Sequence, residues 1–116
     1  ADFIGFVGLS SPMWVASFTP CVEIGWRLDK MYWGNGYATE AACEVLRYGF
    51  ESVGLDEIVS FATLSNVASR AVMQRLGMSR DVNEDFDHPN IAAGHRMQRH
   101  LLCRLSRQAW QASRER

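Results

Sequence analysis

The segment Trp33–Ala38, with the sequence WGNGYA, has residue types that suit the binding of a phosphate group. It joins the end of an apolar strand to the start of a long amphipathic helix, so bare backbone N–H groups and the positive end of the helix dipole converge on one point. The segment therefore predicts a site for a phosphate-bearing cofactor. Two glycines at this spacing also make ordinary tight turns, and the hexapeptide by itself leaves that alternative open.

The elements on either side of this segment follow from hydrophobic periodicity. Residues Cys21–Leu28 alternate with period two, which predicts a strand that places Glu23 on the face opposite Trp26. From Ala38 to Val53 the apolar residues recur every three or four positions, which predicts a helix that a glycine then ends. The glycine loop is thus held between a strand and a helix.

The rest of the chain continues the succession of strands and helices. The further predicted elements are the strands Phe3–Leu9, Ile58–Leu64, Met78–Val82 and His100–Leu105, and a helix with a buried stripe of Ala68, Val72, Met73 and Leu76. Residues 85–90 form a polar, turn-rich loop, and residues 106–116 form a loosely packed helical tail anchored by Trp110. The order β-β-α-β-α-β-β predicts a mixed α/β fold.

Length and composition set the broad class. The 116 residues, 47% of them hydrophobic, fit a single globular domain over residues 1–116. A net charge of -1 gives no indication of binding to nucleic acid or to a membrane surface. The cysteines Cys21, Cys43 and Cys103 lack disulfide or metal-ligand spacing, which predicts free, largely buried thiols, a reducing cytoplasmic location and no bound metal.

Four segments stand in an informative order and spacing. They are Glu23–Trp26, Tyr32–Ala41, Asn66–Met73 and Leu76–Met78. Together they resemble the GCN5-related N-acetyltransferase (GNAT) superfamily, and within it the branch that contains the ribosomal-protein alanine N-acetyltransferases. The resemblance runs over residues 3–105 and implies an acyl-coenzyme A N-acyltransferase fold.

The resemblance implies that acetyl-coenzyme A is the acetyl donor, with its pyrophosphate in the glycine loop. The end of the strand Cys21–Leu28 is expected to splay from the strand Ile58–Leu64 and to hold the pantetheine arm like an added strand. Asn66 is expected to hydrogen-bond that arm, with a helix N-cap as its alternative role. The cofactor contacts expected on this basis are Trp26, Arg27, Leu28, Trp33, Gly34, Asn35, Gly36, Tyr37, Ala38, Asn66 and Ser69. Trp33 stands where the family usually has Gln or Arg.

Two residues are expected to take part in catalysis. Acetyl transfer needs a neutral amine and hence a base, for which Glu23 is the candidate. Its alternative role is to pair with an Arg across the sheet. Ser69 is the candidate proton donor to the departing coenzyme A thiolate, with a solvent-facing helical serine as the alternative. Met73 stands where many family members carry Tyr for this purpose.

These expectations combine into a function. The resemblance implies an N-acetyltransferase that moves acetyl directly to a primary amine, either a protein N-terminus or a small molecule. Asp87 and His88 lie in the loop where the family builds its acceptor pocket, and they are the candidate substrate contacts. The alternative is a non-catalytic module of the same fold that binds an acyl-coenzyme A or a partner protein.

The start of the chain suggests two further expectations. It opens within a strand, whereas family members carry further elements before this point, so we expect the N-terminal part of the domain to be missing. The strand Phe3–Leu9 would then present an exposed edge to solvent, and exposed edges pair with other chains. We therefore expect a homodimer.

Overall fold

The computed structural model describes residues 5–28 and 36–115. The strands are β1 Gly5–Ser10, β2 Glu23–Leu28, β3 Glu57–Thr63, β4 Ser79–Arg80, β5 Phe86–Asp87 and β6 Arg99–Ser106. The helices are α1 Tyr37–Arg47, which continues as a π-helix over Tyr48–Val53, α2 Val67–Arg75 and α3 Arg107–Arg114, with a short 3₁₀ helix at Val82–Glu84. Within this part of the chain, no helix combines the length and the apolar character needed to cross a membrane.

The strands of the described residues form one mixed sheet, in the order β1-β2-β3-β6-β4 with β5 beside β6. The pairs β1–β2 and β3–β6 are antiparallel and have continuous ladders. The pair β2–β3 is parallel, because α1 crosses between them and returns the chain to the same end of the sheet. The predicted mixed α/β fold is therefore confirmed.

The parallel pair β2–β3 holds together at one end and separates at the other. In the described residues the two strands share one ladder position, Glu23 opposite Val59. The Val59 N–H donates to the Val22 carbonyl over 2.9 Å, and the buried Ser60 hydroxyl donates to the Ile24 carbonyl over 2.9 Å. Beyond this point the strands diverge, so the later backbone of β2 is not paired with β3.

The sheet is covered on both faces. On one face, called the helix face, α1 and α2 pack against a core that includes Ile24, Ala42, Leu46, Phe50, Ile58, Val72, Met73, Leu101 and Leu105. On the opposite face, called the aromatic face, Phe18, Val59 and Leu102 are buried beneath Trp14, Phe61 and Phe86. Alternation along β3 separates the two sets, because successive side chains of a strand point to opposite faces.

The apolar residues that recur from Ala38 to Val53 form the predicted buried stripe of helix α1, and this stripe packs against the core except at its end. Ala42 and Leu46 are buried, whereas Val53 is 52% exposed and the prediction that it joins the stripe is wrong. The cause is the π-helix, in which the Gly54 N–H donates to the Gly49 carbonyl five residues earlier. The wider turn rotates Val53 out of the stripe. Gly54 has φ +81° and ends the helix as predicted.

The region after α2 is more broken than the sequence predicts. In place of a strand over residues 78–82, only Ser79–Arg80 pair with β6. Asp81 then caps the 3₁₀ helix, since its carboxylate accepts from the Asn83 N–H over 3.0 Å. The predicted polar loop contains the short strand β5, which pairs with β6.

Two further predictions of burial are wrong. Cys43 is exposed, because it follows the buried Ala42 and faces away from the sheet. Cys21 is half-buried and Cys103 is buried, and all three thiols are free. Ala68 is also exposed, because the first turn of α2 stands away from the core.

Helix α3 connects the C-terminal tail to the core. Ser106 caps it by accepting from the Ala109 N–H over 3.0 Å. Trp110 is 8% exposed, with its ring centroid 5.1 Å from that of Phe50. The Arg114 guanidinium lies 4.7 Å from the Trp110 ring, in cation–π contact. The helical character predicted for this tail is confirmed.

We expect Trp110→Ala to lower the free energy of unfolding by about 3–5 kcal/mol, because a large buried aromatic side chain is replaced by a cavity. Urea denaturation followed by circular dichroism measures this change. The neighbouring exposed residue provides the control, since Gln111→Ala should change the free energy by less than about 0.5 kcal/mol. A Trp110→Ala variant as stable as the Gln111→Ala variant would show that α3 does not depend on this contact.

Candidate functional site

A cavity of about 640 Å³ opens between the first turn of α1 and α2, beside the diverging end of β2. Its volume is in the range of small-molecule sites. It is lined by Trp26, Arg27, Gly36, Tyr37, Ala38, Thr39, Asn66, Val67, Ala68, Ser69, Ala71, Val72 and Arg75. Seven of these are cofactor contacts expected from the sequence. Trp33, Gly34, Asn35 and the side chain of Leu28 lie outside the described residues.

The first turn of α1 has the features of an anion-binding helix start. Gly36 is its N-cap with φ +75° and supplies no side-chain cap. A Cβ built on Gly36 would meet nothing within 4 Å, so the left-handed φ, and not packing within the described residues, is what favours glycine. The buried hydroxyl oxygen of Thr39 has no hydrogen-bond partner among the described residues. An unpaired buried hydroxyl is costly unless a ligand satisfies it, so this end of the cavity fits a polar ligand group.

Asn66 caps α2, and this leaves its amide nitrogen available. The Asn66 side-chain oxygen accepts from the Ser69 backbone N–H over 3.1 Å. Its NH₂ group makes no hydrogen bond within the described residues and borders the cavity. The two roles considered for Asn66 are therefore compatible, because capping uses the oxygen and a ligand would be bound by the nitrogen.

Trp26 and Ser69 join the two walls of the cavity. The Trp26 indole N–H donates to the Ser69 hydroxyl oxygen over 3.2 Å, which links β2 to α2. Trp26 also packs against the core of the helix face. Ser69 is therefore not a solvent-facing helical serine, since its hydroxyl is held at the edge of the cavity.

Glu23 lies on the aromatic face, on the other side of the β2–β3 opening from the cavity. Its carboxylate makes no hydrogen bond or ion pair with any described residue, so the alternative of an Arg partner is not supported. Burial raises the pKa of Glu23 from its ordinary value of 4.5 to about 7. One carboxylate oxygen would lie 3.3 Å from a Cβ built on Gly25, so the carboxylate extends along β2 toward the diverging end. A carboxyl group with this pKa can exchange protons near neutral pH.

The aromatic face presents a group of rings next to this opening. The ring centroid of His88 lies 4.8 Å from that of Trp14 and 5.0 Å from that of His100. Burial, and secondarily the neighbouring His100, lower the pKa of His88. The Asn90 N–H donates to His88 Nδ1 over 3.1 Å, so the neutral ring carries its proton on Nε2. His88 is therefore a hydrogen-bond donor here and not a base.

The structure separates the two predicted substrate contacts. Asp87 is exposed and pairs with Arg99 across the β5–β6 ladder at 3.3 Å. Its side chain does not join the rings around His88. Adjacent positions of a strand diverge in this way because their side chains alternate.

Part of the cavity wall was not predicted from the sequence. Val67, Ala71 and Arg75 stand at intervals of four on α2 and line the cavity together. In the sequence, this spacing already places an apolar, a small and a charged residue on one face of the predicted second helix. The Arg75 guanidinium adds a positive charge to the α2 wall of the cavity, opposite the start of α1.

Met73 and Cys103, by contrast, are buried core residues that do not line this cavity. Within the described ranges, no three His, Cys, Asp or Glu residues could together hold a metal ion.

Relatives of known class share parts of this sequence. The chain is 44% identical over 61 residues to the FsC-acetyl coenzyme A-N(2)-transacetylase of Aspergillus fumigatus. The aligned segment covers 53% of this chain and 26% of that protein. It is also 41% identical over 59 residues to the uncharacterized N-acetyltransferase YnaD of Bacillus subtilis. Here the aligned segment covers 51% of this chain and 35% of that protein. The aligned part is thus about a quarter to a third of these relatives' length.

Solved structures share the fold. The acetyltransferase (GNAT family) from Bacillus anthracis superimposes with a TM-score of 0.73 at 27% identity, covering 90% of this chain and 59% of that one. The ribosomal-protein-S5-alanine acetyltransferase from Vibrio fischeri also gives 0.73, at 21% identity, covering 92% of this chain and 56% of that one. At that identity the second likeness concerns the fold alone.

The family follows from the sequence and the fold together. Residues 1–79 match the acetyltransferase (GNAT) domain, and the fold superimposes on that of the GNAT-family acetyltransferase from Bacillus anthracis. The chain therefore belongs to the GNAT acetyltransferase family.

Proposed function

We propose that this chain is the acetyl-coenzyme A-binding part of an N-acetyltransferase that transfers acetyl directly to a primary amine. The observation that carries the proposal is the opening between β2 and β3. The cavity lies on its helix face and the unpaired Glu23 carboxylate on its aromatic face. A donor bound in the cavity and an amine approaching from the other face would meet at this opening.

The cavity residues suit the parts of acetyl-coenzyme A, which supplies an acetyl thioester. The helix start at Gly36, together with Arg75, suits the pyrophosphate. The unpaired backbone at the end of β2 and the Asn66 amide nitrogen suit the two amides of the pantetheine arm. The Thr39 hydroxyl supplies one more hydrogen-bond donor or acceptor.

Two side chains supply the proton transfers. Glu23, directly or through water, removes a proton from the acceptor ammonium so that the amine nitrogen can attack. Ser69 donates its hydroxyl proton to the leaving sulfur. No covalent acetyl-enzyme is needed, because donor and acceptor meet directly.

The acceptor is a primary amine that approaches over the aromatic face. His88 supports this proposal, since its neutral ring presents an N–H donor beside aromatic surfaces. Asp87 is not part of the proposed contact, because it pairs with Arg99. The acceptor classes that remain are a protein N-terminus, as in the ribosomal-protein alanine acetyltransferases, and a small amine.

We further propose that the protein is a cytoplasmic homodimer. Free cysteines, one of them exposed, support a reducing compartment. Among the strands of the described residues, β1 stands at one end of the order and Phe6 is 57% exposed, which supports pairing through this edge.

Gly36→Trp should weaken the binding of acetyl-coenzyme A by more than about tenfold, because an indole would enter the cavity at the start of α1. Isothermal titration calorimetry measures the affinity. Gly54→Trp is the matched control, since Gly54 also has a left-handed φ at a helix end with open space around it. Equal affinities of the two variants would overturn the assignment of the phosphate site.

Glu23→Gln should lower kcat/KM by about 10² to 10⁴ at pH 8, because the base is lost. In the parent, kcat/KM should fall tenfold per pH unit below about pH 7, where Glu23 becomes protonated. This acid limb should be absent from the Gln variant, whereas a limb caused by the amine itself would remain. Identical profiles would remove Glu23 from the proton transfer.

Stability gives a second measure of the same pKa. The folded-state pKa of Glu23, about 7, lies above its unfolded value. Glu23 therefore favours the folded state most below the unfolded pKa, and this contribution is lost as the pH rises through about 7. The free energy of unfolding of the parent, relative to Glu23→Gln, should fall between about pH 4.5 and 7 and then level off. A flat difference would show that the pKa is not raised.

Release of coenzyme A thiol with a panel of amines separates the enzyme from its alternative. Turnover with any amine supports the transferase. Binding of acetyl-coenzyme A without thiol release would indicate the non-catalytic acyl-coenzyme A-binding module instead.

Sedimentation velocity over a concentration series tests the dimer. We expect a dimer that a charged substitution at the β1 edge, Phe6→Lys, shifts toward monomer. Phe6 is exposed, so the change should leave the fold intact. A single monomeric species at all concentrations would overturn this proposal.

A further inference from the structure

We propose that Trp26 is a positioning residue, whose indole N–H turns the Ser69 hydroxyl proton toward the cavity and thus toward the leaving sulfur. The inference rests on the proposed function, since it concerns the proton donor of that reaction. It assigns to Trp26 a role distinct from contact with the donor molecule.

The hydrogen bond between the two side chains has one possible direction. Trp26 Nε1 lies 3.2 Å from Ser69 Oγ, and an indole nitrogen can only donate. The Ser69 oxygen is therefore the acceptor, and its own proton must point elsewhere. A serine within a helix commonly turns that proton back to the carbonyl four residues earlier. Ser69 makes no such bond in the described residues.

The surroundings of Ser69 leave the cavity as the direction for this proton. Its backbone N–H is already bound by the Asn66 side chain over 3.1 Å, which fixes the start of α2. Both Trp26 and Ser69 border the cavity. No acceptor among the described residues takes the Ser69 proton, so a ligand atom in the cavity is the partner that the geometry provides.

The position of the Trp26 side chain is fixed by its strand and by packing. It lies opposite Val7 in the β1–β2 ladder and packs against the core of the helix face. Its indole bridges β2 and α2, which stand on the two sides of the opening. The hydrogen bond therefore fixes both the direction of the Ser69 hydroxyl and the separation of the two walls.

The proton balance of the reaction includes this hydroxyl. The amine nitrogen forms a bond to the acetyl carbon, and the carbon–sulfur bond breaks with its electron pair on sulfur. Glu23 first takes one proton from the acceptor ammonium and releases it to solvent water. The Ser69 proton then moves to sulfur while Glu23 takes the second proton that the amine nitrogen loses. Water then carries that proton from Glu23 back to Ser69, and the enzyme is restored.

A double-mutant cycle tests the proposal. Trp26→Phe keeps the aromatic packing but removes the donor, and it should lower kcat by about twofold to tenfold, the effect of one hydrogen bond. Ser69→Ala should lower kcat by about 10²-fold. Because Trp26 acts through Ser69, Trp26→Phe should have no further effect on kcat in the Ser69→Ala background. The affinity for acetyl-coenzyme A, measured by titration calorimetry, should stay within about twofold in Trp26→Phe.

The chain offers a matched control for the Trp-to-Phe change. The Trp110 indole donates no hydrogen bond within the described residues and lies in the core, away from the cavity. Trp110→Phe should therefore leave kcat unchanged. Equal losses of kcat in Trp110→Phe and Trp26→Phe would mean that general loosening, and not the hydrogen bond, is responsible.

The hydrogen bond has a readout that does not depend on activity. In a ¹H–¹⁵N spectrum of tryptophan-labelled protein, the indole resonance that disappears in Trp26→Phe identifies Trp26. In Ser69→Ala this resonance should shift and its N–H should exchange faster with water, while the other indole resonances stay in place. Ser69→Ala leaves Trp26 itself unchanged. If Trp26→Phe fails to fold, the resonances lost in Trp14→Phe, Trp33→Phe and Trp110→Phe identify the Trp26 resonance by elimination.

The outcomes separate the inference from the proposed function. If the parent releases thiol with an amine but the two losses multiply in the double variant, Trp26 does not act through Ser69 and the inference is overturned. An unmoved Trp26 resonance in Ser69→Ala overturns it as well. If the resonance shifts but the parent releases no thiol with any amine, the hydrogen bond stands while the transferase proposal, and the positioning role with it, fails.

Discussion

The divergence of β2 from β3 is the constraint on which the rest of the site depends. One ladder position at Glu23 and Val59, reinforced by the buried Ser60 hydroxyl, holds the strands together at one end. Past that point the backbone of β2 is left unpaired with its neighbour inside the fold. The two strands stay in place on either side of the gap because both are anchored in the core of the helix face, β2 through Ile24 and β3 through Ile58.

Two buried or half-buried polar groups near this opening lack partners among the described residues. The Glu23 carboxylate is half-buried without a cation, and the Thr39 hydroxyl is buried without a partner in the described residues. Several charged side chains elsewhere in the described residues are paired, as in Arg104, which binds Glu84 and Glu57. Unpaired polar groups cost stability, so their collection at one place is the physical mark of a binding site.

The two helices that border the cavity begin in different ways, and each beginning suits its place. Helix α1 starts at a left-handed glycine without a side-chain cap, which leaves the positive end of the helix dipole for a ligand. Helix α2 starts at Asn66, whose oxygen caps the helix and whose nitrogen borders the cavity. The first end can attract an anion, whereas the second provides one directed hydrogen bond.

The sequence by itself determined most of the longer elements, the family resemblance and about half of the cavity-lining residues. Period-two and period-3.6 patterns are local, and Gly36 and Asn66 mark helix starts through their own backbone preferences. Only the tertiary structure decided the rest. The π-helix that exposes Val53, the separation of Asp87 from His88, the raised pKa of Glu23 and the Trp26–Ser69 hydrogen bond all depend on contacts between distant parts of the chain. Burial and hydrogen-bond direction are set by neighbours in space, which no spacing along the chain specifies.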